Sequence, residues 1–361
     1  MPRTLISPLY EQIICPWSPQ HPRHDHQLIF PLQDDRLILV WSEYYANRPS
    51  LVVRDQYEKA GSAHDGFPCR ISAKISTDRG RTWSDTFTLQ DNLWGQNVKH
   101  PNLIRLNNDN ILFTFTAWED DQQRNIFMKR STDECETWGS LIQISEPGWY
   151  CTNNDHIVRL KSGRILLPSH SGPDFNHLGK DLHSFLYYSD DEFQTWKRCE
   201  NTMTAPGRGA HEPSIVELID GRLLCILRTT QKCVYKSYSE DQGITWSTPE
   251  PTDLPAPDSP PLIKRIPTTG DLLLLWNCVP SDRNWPRIPL TAALSRDEGD
   301  SWQIIGDIDN RENHDAAYTA VYFQDDEALI TYYTRNKEWA RDAEVMLKIF
   351  KIDAFYNTDQ V

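Results

Sequence analysis

The 361-residue chain carries 37 Lys and Arg against 51 Asp and Glu, a formal net charge of −14, which argues against nucleic acid or anionic membrane surfaces as partners. Hydrophobic residues make up 39%, and 13 Trp, 14 Tyr and 12 Phe supply enough bulky apolar surface to exclude disordered and collagen-like states. No run approaches the roughly 18 apolar residues of a membrane span; the N-terminus lacks the pattern of a signal peptide, and eight scattered cysteines without a Cys-x-x-Cys pair read as reduced thiols, so the expectation is a soluble cytoplasmic protein without a cysteine zinc site.

In chain order, Arg23-His24-Asp25-His26 precedes a first apolar run, DDRLILVW (34–41). A polar stretch follows from Glu43 to Arg70, with Arg48, Arg54, His64, Asp65 and Arg70; loops of that length in compact domains are usually functional. Ser76-Thr77-Asp78-Arg79-Gly80-Arg81-Thr82-Trp83 is then the first of five copies of Ser-x-Asp-x-x-x-(Thr/Ser)-Trp. The others are STDECETW from Ser131, SDDEFQTW from Ser189, SEDQGITW from Ser239 and SRDEGDSW from Ser295, with successive serines 55, 58, 50 and 56 residues apart. Interleaved with them are NDNILFTF (108–115), SGRILLPS (162–169), DGRLLCIL (220–227), TGDLLLLW (269–276) and DDEALITY (325–332).

Runs this short and apolar, bounded by turn residues, predict buried strands rather than helices. In each box the Asp can bond turn N–H groups while the Trp packs on the adjoining sheet, which predicts a strand-turn-strand corner. One strand and one box per 50–58 residues is the length of chain a four-stranded propeller blade needs. The prediction is therefore an all-β, six-bladed β-propeller occupying residues 1–361 as a single domain. The last blade lacks a box, and Leu5 to Cys15 is the segment expected to close the ring.

The boxes match the Asp-box, or bacterial neuraminidase repeat, and over nearly its full length the chain resembles the sialidase superfamily. That resemblance implies boxes on the periphery and catalysis at the mouth of a central channel. His211-Glu212-Pro213-Ser214 followed by DGRLLCILR resembles the sialidase segment that supplies a buried Glu and, one hairpin later, a carboxylate-binding Arg, here Glu212 and Arg228. Arg287-Ile288-Pro289-Leu290 resembles the segment carrying another clamp arginine, with Arg283 a rival in the same loop. Ala317-Tyr318-Thr319-Ala320 resembles the segment holding the nucleophilic Tyr.

Two features depart from the pattern. The Arg-Ile-Pro motif expected before the first inner strand is replaced by Arg23-His24-Asp25-His26-Gln27-Leu28, so the first clamp arginine is absent or displaced to Arg23. Where sialidases place a catalytic acid Asp, blade two begins Asn97-Val98-Lys99-His100-Pro101, leaving His100 or Asp65 as the proton donor. Closer still is the resemblance to bacterial sialidase-like proteins of uncertain activity, through Asn153-Asn154-Asp155-His156 and Ser259-Pro260-Pro261-Leu262-Ile263-Lys264-Arg265-Ile266-Pro267.

A sialic acid carries a carboxylate on its anomeric carbon, which repels an anionic nucleophile but not a phenol activated by a Glu base; arginines grip the carboxylate in a planar fork. The resemblance thus implies an exo-acting glycoside hydrolase for an acidic sugar, with Tyr318, Glu212 and His100 or Asp65 as catalytic residues. Arg228, Arg287, Asn97, Asn154, Asp155, His156 and His24 are the expected contacts to a carbohydrate substrate. His24-Asp25-His26 has metal-motif spacing, but strand alternation brings histidines together by accident, and neither metal nor cofactor is expected. A uronate lyase and a non-catalytic glycan-binding propeller are the alternatives.

Overall fold

A computed structural model of the chain describes residues 3–46, 65–93, 96–120, 122–173, 181–283, 285–336 and 342–357. Of the residues noted in the long loop, Arg48, Arg54 and His64 lie outside this set, whereas Asp65 and Arg70 lie within it.

The apolar runs fold as strands packed on both faces. Leu37–Tyr44, Ile111–Trp118, Ile165–Ser171, Leu223–Arg228 and Leu272–Asn277 are buried at every residue, and Glu327–Asn336 at all but its last two. Each lies in its own antiparallel sheet, and the six sheets form the blades of a propeller. Blades are in contact through apolar side chains: Leu112, Ile165, Leu186 and Leu223 belong to one cluster spanning blades two to four.

These strands stand second from the axis. The strands nearest it are the more polar segments just before them: His24–Pro31, Asn97–Arg105, Tyr150–Thr152 with Val158–Arg159, His211–Glu217, Leu262–Arg265 and His314–Gln324. They bond one another around the axis, as when Asn102 Nδ2 donates to the Asn153 carbonyl and Gln27 Nε2 to that of Tyr318. The stretch around Glu212 is thus an axial strand itself, whereas Asn154 lies in the turn joining Tyr150–Thr152 to Val158–Arg159.

All five turn boxes close the corner after a blade's third strand, away from the channel. In each, the Ser hydroxyl donates to one Asp oxygen at 2.8–2.9 Å, and the Thr or Ser four residues after the Asp donates its hydroxyl to the other at 2.5–2.6 Å. The ring closes as expected. Tyr10–Cys15 pairs antiparallel with Glu344–Lys351, Tyr10 facing Ile349, and becomes the outer strand of blade six.

Candidate functional site

Four of the six axial strands bulge at the same place. Register slips between Asp25 and Leu28, Lys99 and Asn102, His211 and Ser214, and Ala317 and Ala320. In each gap one side chain sits on left-handed backbone: His26 (φ 51°), His100 (φ 58°), Glu212 (φ 51°) and Tyr318 (φ 54°). His26, His100 and Glu212 each lie six residues before the residue that follows their strand, at Leu32, Leu106 and Leu218, whereas Tyr318 lies six before Gln324, the last residue of its own strand. A positive φ is uncommon outside glycine, and bulges re-aim side chains at sites. Blade three carries a related kink at Asp155 (φ 58°). In blade five Pro260 stands at the corresponding distance from Ile266, and its ring forbids that conformation.

Two of these residues meet across the channel. Tyr318 Oη donates to Glu212 Oε1 at 3.0 Å, and Arg228 Nη1 donates to Glu212 Oε2 at 2.6 Å while lying 3.4 Å from the phenol oxygen. Arg228 Nε donates to Asp258 Oδ1 at 2.7 Å, and Arg208 holds the other Asp258 oxygen at 2.7 Å. The Arg287 guanidinium stacks 5.4 Å from the Tyr318 ring and donates to the Tyr333 hydroxyl at 3.1 Å. Arg283, its rival, is exposed.

Burial by itself would raise the Glu212 pKa, but Arg228 and His170 outweigh it and bring it down to about 2. Burial and then the Glu212 charge push the phenol of Tyr318 above its usual range, against Arg228 and Arg287. The resting site is thus a neutral phenol bonded to an ionised carboxylate, the arrangement from which a proton moves as the oxygen attacks.

The remaining expected residues divide into three groups. His100 and Asp65 stand removed from the pair, behind His26 and Arg23 respectively. His100 rings edge-on with His26 at 4.1 Å, with Arg124 Nη2 and Cys151 Sγ each 3.3 Å from its Nδ1. Asp65 Oδ1 accepts from Arg23 Nη2 at 2.6 Å. Asn97 and Asn154 shape the wall: Asn97 Nδ2 donates to the Asp65 carbonyl at 2.8 Å, and Asn154 Nδ2 to the Gln27 carbonyl at 2.7 Å.

Asp155, His156 and His24 face elsewhere. Asp155 pairs with Lys264 at 3.1 Å and lines, with His156, Arg159 and Arg265, a separate cavity of about 210 Å³. His156 Nδ1 lies 2.9 Å from the Pro213 carbonyl, and His24 Nδ1 accepts from the Trp41 indole at 3.0 Å. Among the described residues no group of three His, Cys, Asp or Glu side chains is placed to hold a metal ion, and no helix is long and apolar enough to cross a membrane.

The structure adds His26 and Asp258. His26 packs edge-on against the Tyr318 ring at 4.4 Å; its signal in the sequence is the spacing it shares with His100 and Glu212. Asp258 stands in the proline-rich Pro255-Ala256-Pro257-Asp258-Ser259-Pro260-Pro261, where a lone carboxylate gives no sign that an arginine will fold onto it.

Comparison with known proteins bears out the architecture. An anhydrosialidase of Macrobdella decora is 30% identical over 149 residues, covering 39% of this chain and 18% of that protein. A sialidase of Clostridium perfringens is 24% identical over 208 residues, covering 50% and 53%. These matches therefore span about half or less of each relative. Among solved structures, a protein of unknown function from Dyadobacter fermentans superposes with a TM-score of 0.74 at 16% identity, over 95% of this chain and 99% of that one. The Trypanosoma rangeli sialidase in its covalent intermediate with 2,3-difluorosialic acid gives 0.73 at 14%, over 97% and 60%; at such identities the likeness is one of fold. A family profile described as the BNR repeat-like domain matches residues 59–331, and with six blades around one axis the chain belongs to that family, among the sialidase-like β-propellers.

Proposed function

We propose that this protein is a sialidase-like glycoside hydrolase that releases an acidic sugar from the non-reducing end of a glycoside, with Tyr318 as nucleophile and Glu212 as its base. The observation that carries this reading is the 3.0 Å hydrogen bond from the phenol to a carboxylate that Arg228 keeps ionised. As Tyr318 Oη attacks the anomeric carbon, its proton passes to Glu212 and the glycosidic bond breaks; water later reverses these transfers. Arg228, 3.4 Å from the phenol oxygen, and Arg287, over the phenol ring, bind the substrate carboxylate. The Arg-Ile-Pro motif is missing, with Arg23-His24-Asp25 in its place, so ordinary sialosides, which the resemblance would have three arginines hold, are expected to be poor substrates.

A fluorinated acidic sugar with a good leaving group tests the reading. The expected result is a covalent adduct seen by intact mass, absent in Tyr318→Phe and formed about 10²–10⁴-fold more slowly in Glu212→Gln. An unsaturated product absorbing near the ultraviolet edge, with no adduct, would instead establish a uronate lyase. Neither product across a panel of acidic glycans would leave a glycan-binding propeller.

A further inference from the structure

Glycoside cleavage needs a proton for the departing oxygen, and the two expected donors, His100 and Asp65, are poorly set to give it. The His100 Nδ1 faces Arg124 Nη2 at 3.3 Å. A guanidinium only donates, so that nitrogen is the acceptor and the ring proton resides on Nε2. Such a ring donates a hydrogen bond but resists a second proton next to a permanent cation. Asp65 is held by Arg23 at 2.6 Å with its side chain largely exposed, which favours the ionised form.

His26 is buried too, and burial with Lys99 and Arg23 lowers its pKa, but unlike His100 it has a carboxylate against its ring that favours the protonated form. Its Nδ1 lies 2.5 Å from Asp25 Oδ1, while Arg23 Nε holds the other Asp25 oxygen at 2.6 Å. Arg23 thus fixes the carboxylate against the ring as a close ion pair, although the two atoms lack the alignment of a hydrogen bond. The ring contacts the Tyr318 ring at 4.4 Å and the His100 ring at 4.1 Å, and it occupies the same left-handed bulge position as Glu212 and Tyr318. Three axial strands therefore aim an imidazole, a carboxylate and a phenol at one place.

We infer that His26, backed by Asp25, is the proton-transfer residue of this site, an assignment that rests on the hydrolase reading above. In the first step the Tyr318 oxygen–carbon bond forms, the phenol proton goes to Glu212, the bond to the leaving oxygen breaks, and that oxygen takes the proton from imidazolium Nε2. In the second, water attacks the anomeric carbon and gives its proton to His26 Nε2, while the released Tyr318 oxygen recovers its proton from Glu212. The sum is glycoside plus water to sugar plus alcohol. Asp25 stabilises the imidazolium through its charge.

The test compares matched 4-nitrophenyl and methyl glycosides of N-acetylneuraminic acid, its deaminated analogue and glucuronic acid. The variant is His26→Asn, because asparagine tolerates left-handed backbone. The methyl glycoside, whose leaving group needs a proton, is expected to lose about 10²–10⁴-fold in kcat/KM, and the 4-nitrophenyl glycoside less than about tenfold; added azide should yield the glycosyl azide with the latter. Asp25→Asn should show the same discrimination to a smaller degree, with the fold intact by circular dichroism. Equal losses for both leaving groups, or an unaffected Asp25→Asn, would overturn the assignment while the hydrolase stands. A wild type that turns over neither glycoside and forms no adduct overturns the hydrolase reading and this assignment with it.

Discussion

Glu212 and Tyr318 illustrate how this channel spends stability on geometry: each holds a left-handed backbone that costs an L-residue roughly 1–2 kcal/mol, and each is kept there by ladder hydrogen bonds on both sides of its bulge. Arg228 ties the two together and is itself held by Asp258. Arg228→Lys keeps the charge but loses the planar fork, so binding of an acidic substrate should weaken by about 1–3 kcal/mol; titration of wild type and variant with the same acidic sugar checks this, and equal affinity would remove Arg228 from the site. The buried histidines lead to a second expectation. His24 and His156 are lowered to about 4 and His170 to about 3, chiefly by burial. The unfolded chain protonates them near their usual 6.5, so between pH 6.5 and about 4 it binds more protons than the folded protein does. Stability must fall as pH falls through that window. Urea midpoints measured from pH 7 to 4.5 should decline, and His156→Gln should flatten the decline.

At the level of strands and turns, the boxes and the arginines beside them join one blade to the next. After every box Asp come two consecutive left-handed residues, such as Gln242 (φ 58°) and Gly243 (φ 90°). Glycine fills the second place in three boxes, and at Gly299 an added Cβ would also meet Leu224 at 2.6 Å. Cys135 and Phe193 hold the place elsewhere, both buried. Three boxes continue with a Glu that takes a bidentate Arg from the axial strand of its own blade: Arg105 with Glu134, Arg159 with Glu192, Arg265 with Glu298. The same three Glu side chains accept backbone N–H groups of the preceding blade, at Gln33, Asn107 and Ile219. Asp241 makes the same turn bonds, accepting from the Ile244 and Thr245 N–H groups and the Thr245 hydroxyl. Asp241→Ala should therefore cost about 1–2 kcal/mol in urea unfolding and leave kcat of the folded protein nearly unchanged. A selective loss of turnover would contradict a structural role.

For the molecule as a whole, stability depends on a ring closed by residues far apart in sequence. Tyr10–Cys15 completes blade six, and the Ile6 N–H bonds the Asp307 carbonyl of blade five at 2.9 Å. Removing residues 1–15 would expose the Glu344–Lys351 edge, which then becomes open to pairing with other chains. The truncated protein should melt roughly 5–10 °C lower and aggregate with increasing concentration; an unchanged melting temperature would show that the ring holds without its closing strand.

The blade count, the peripheral corners and the closing segment were legible in the sequence because short apolar runs recur along the chain and turn boxes every 50–58 residues, and a recurring local rule needs no knowledge of what it packs against. Glu212, Tyr318, Arg228 and Arg287 were legible through resemblance. What the sequence left open were matters of distance across the axis. Nothing in His24-Asp25-His26 shows that the second histidine turns to Tyr318, whose Cα is 292 residues along the chain, while the first turns to Trp41. Nor does it show that Asp258 anchors Arg228, or that Asp155 and His156 point to another cavity. Those outcomes depend on where each axial strand bulges and on which side chains the ring then brings face to face. Only tertiary structure decides them, because one residue of register sends a side chain to the opposite face of its strand.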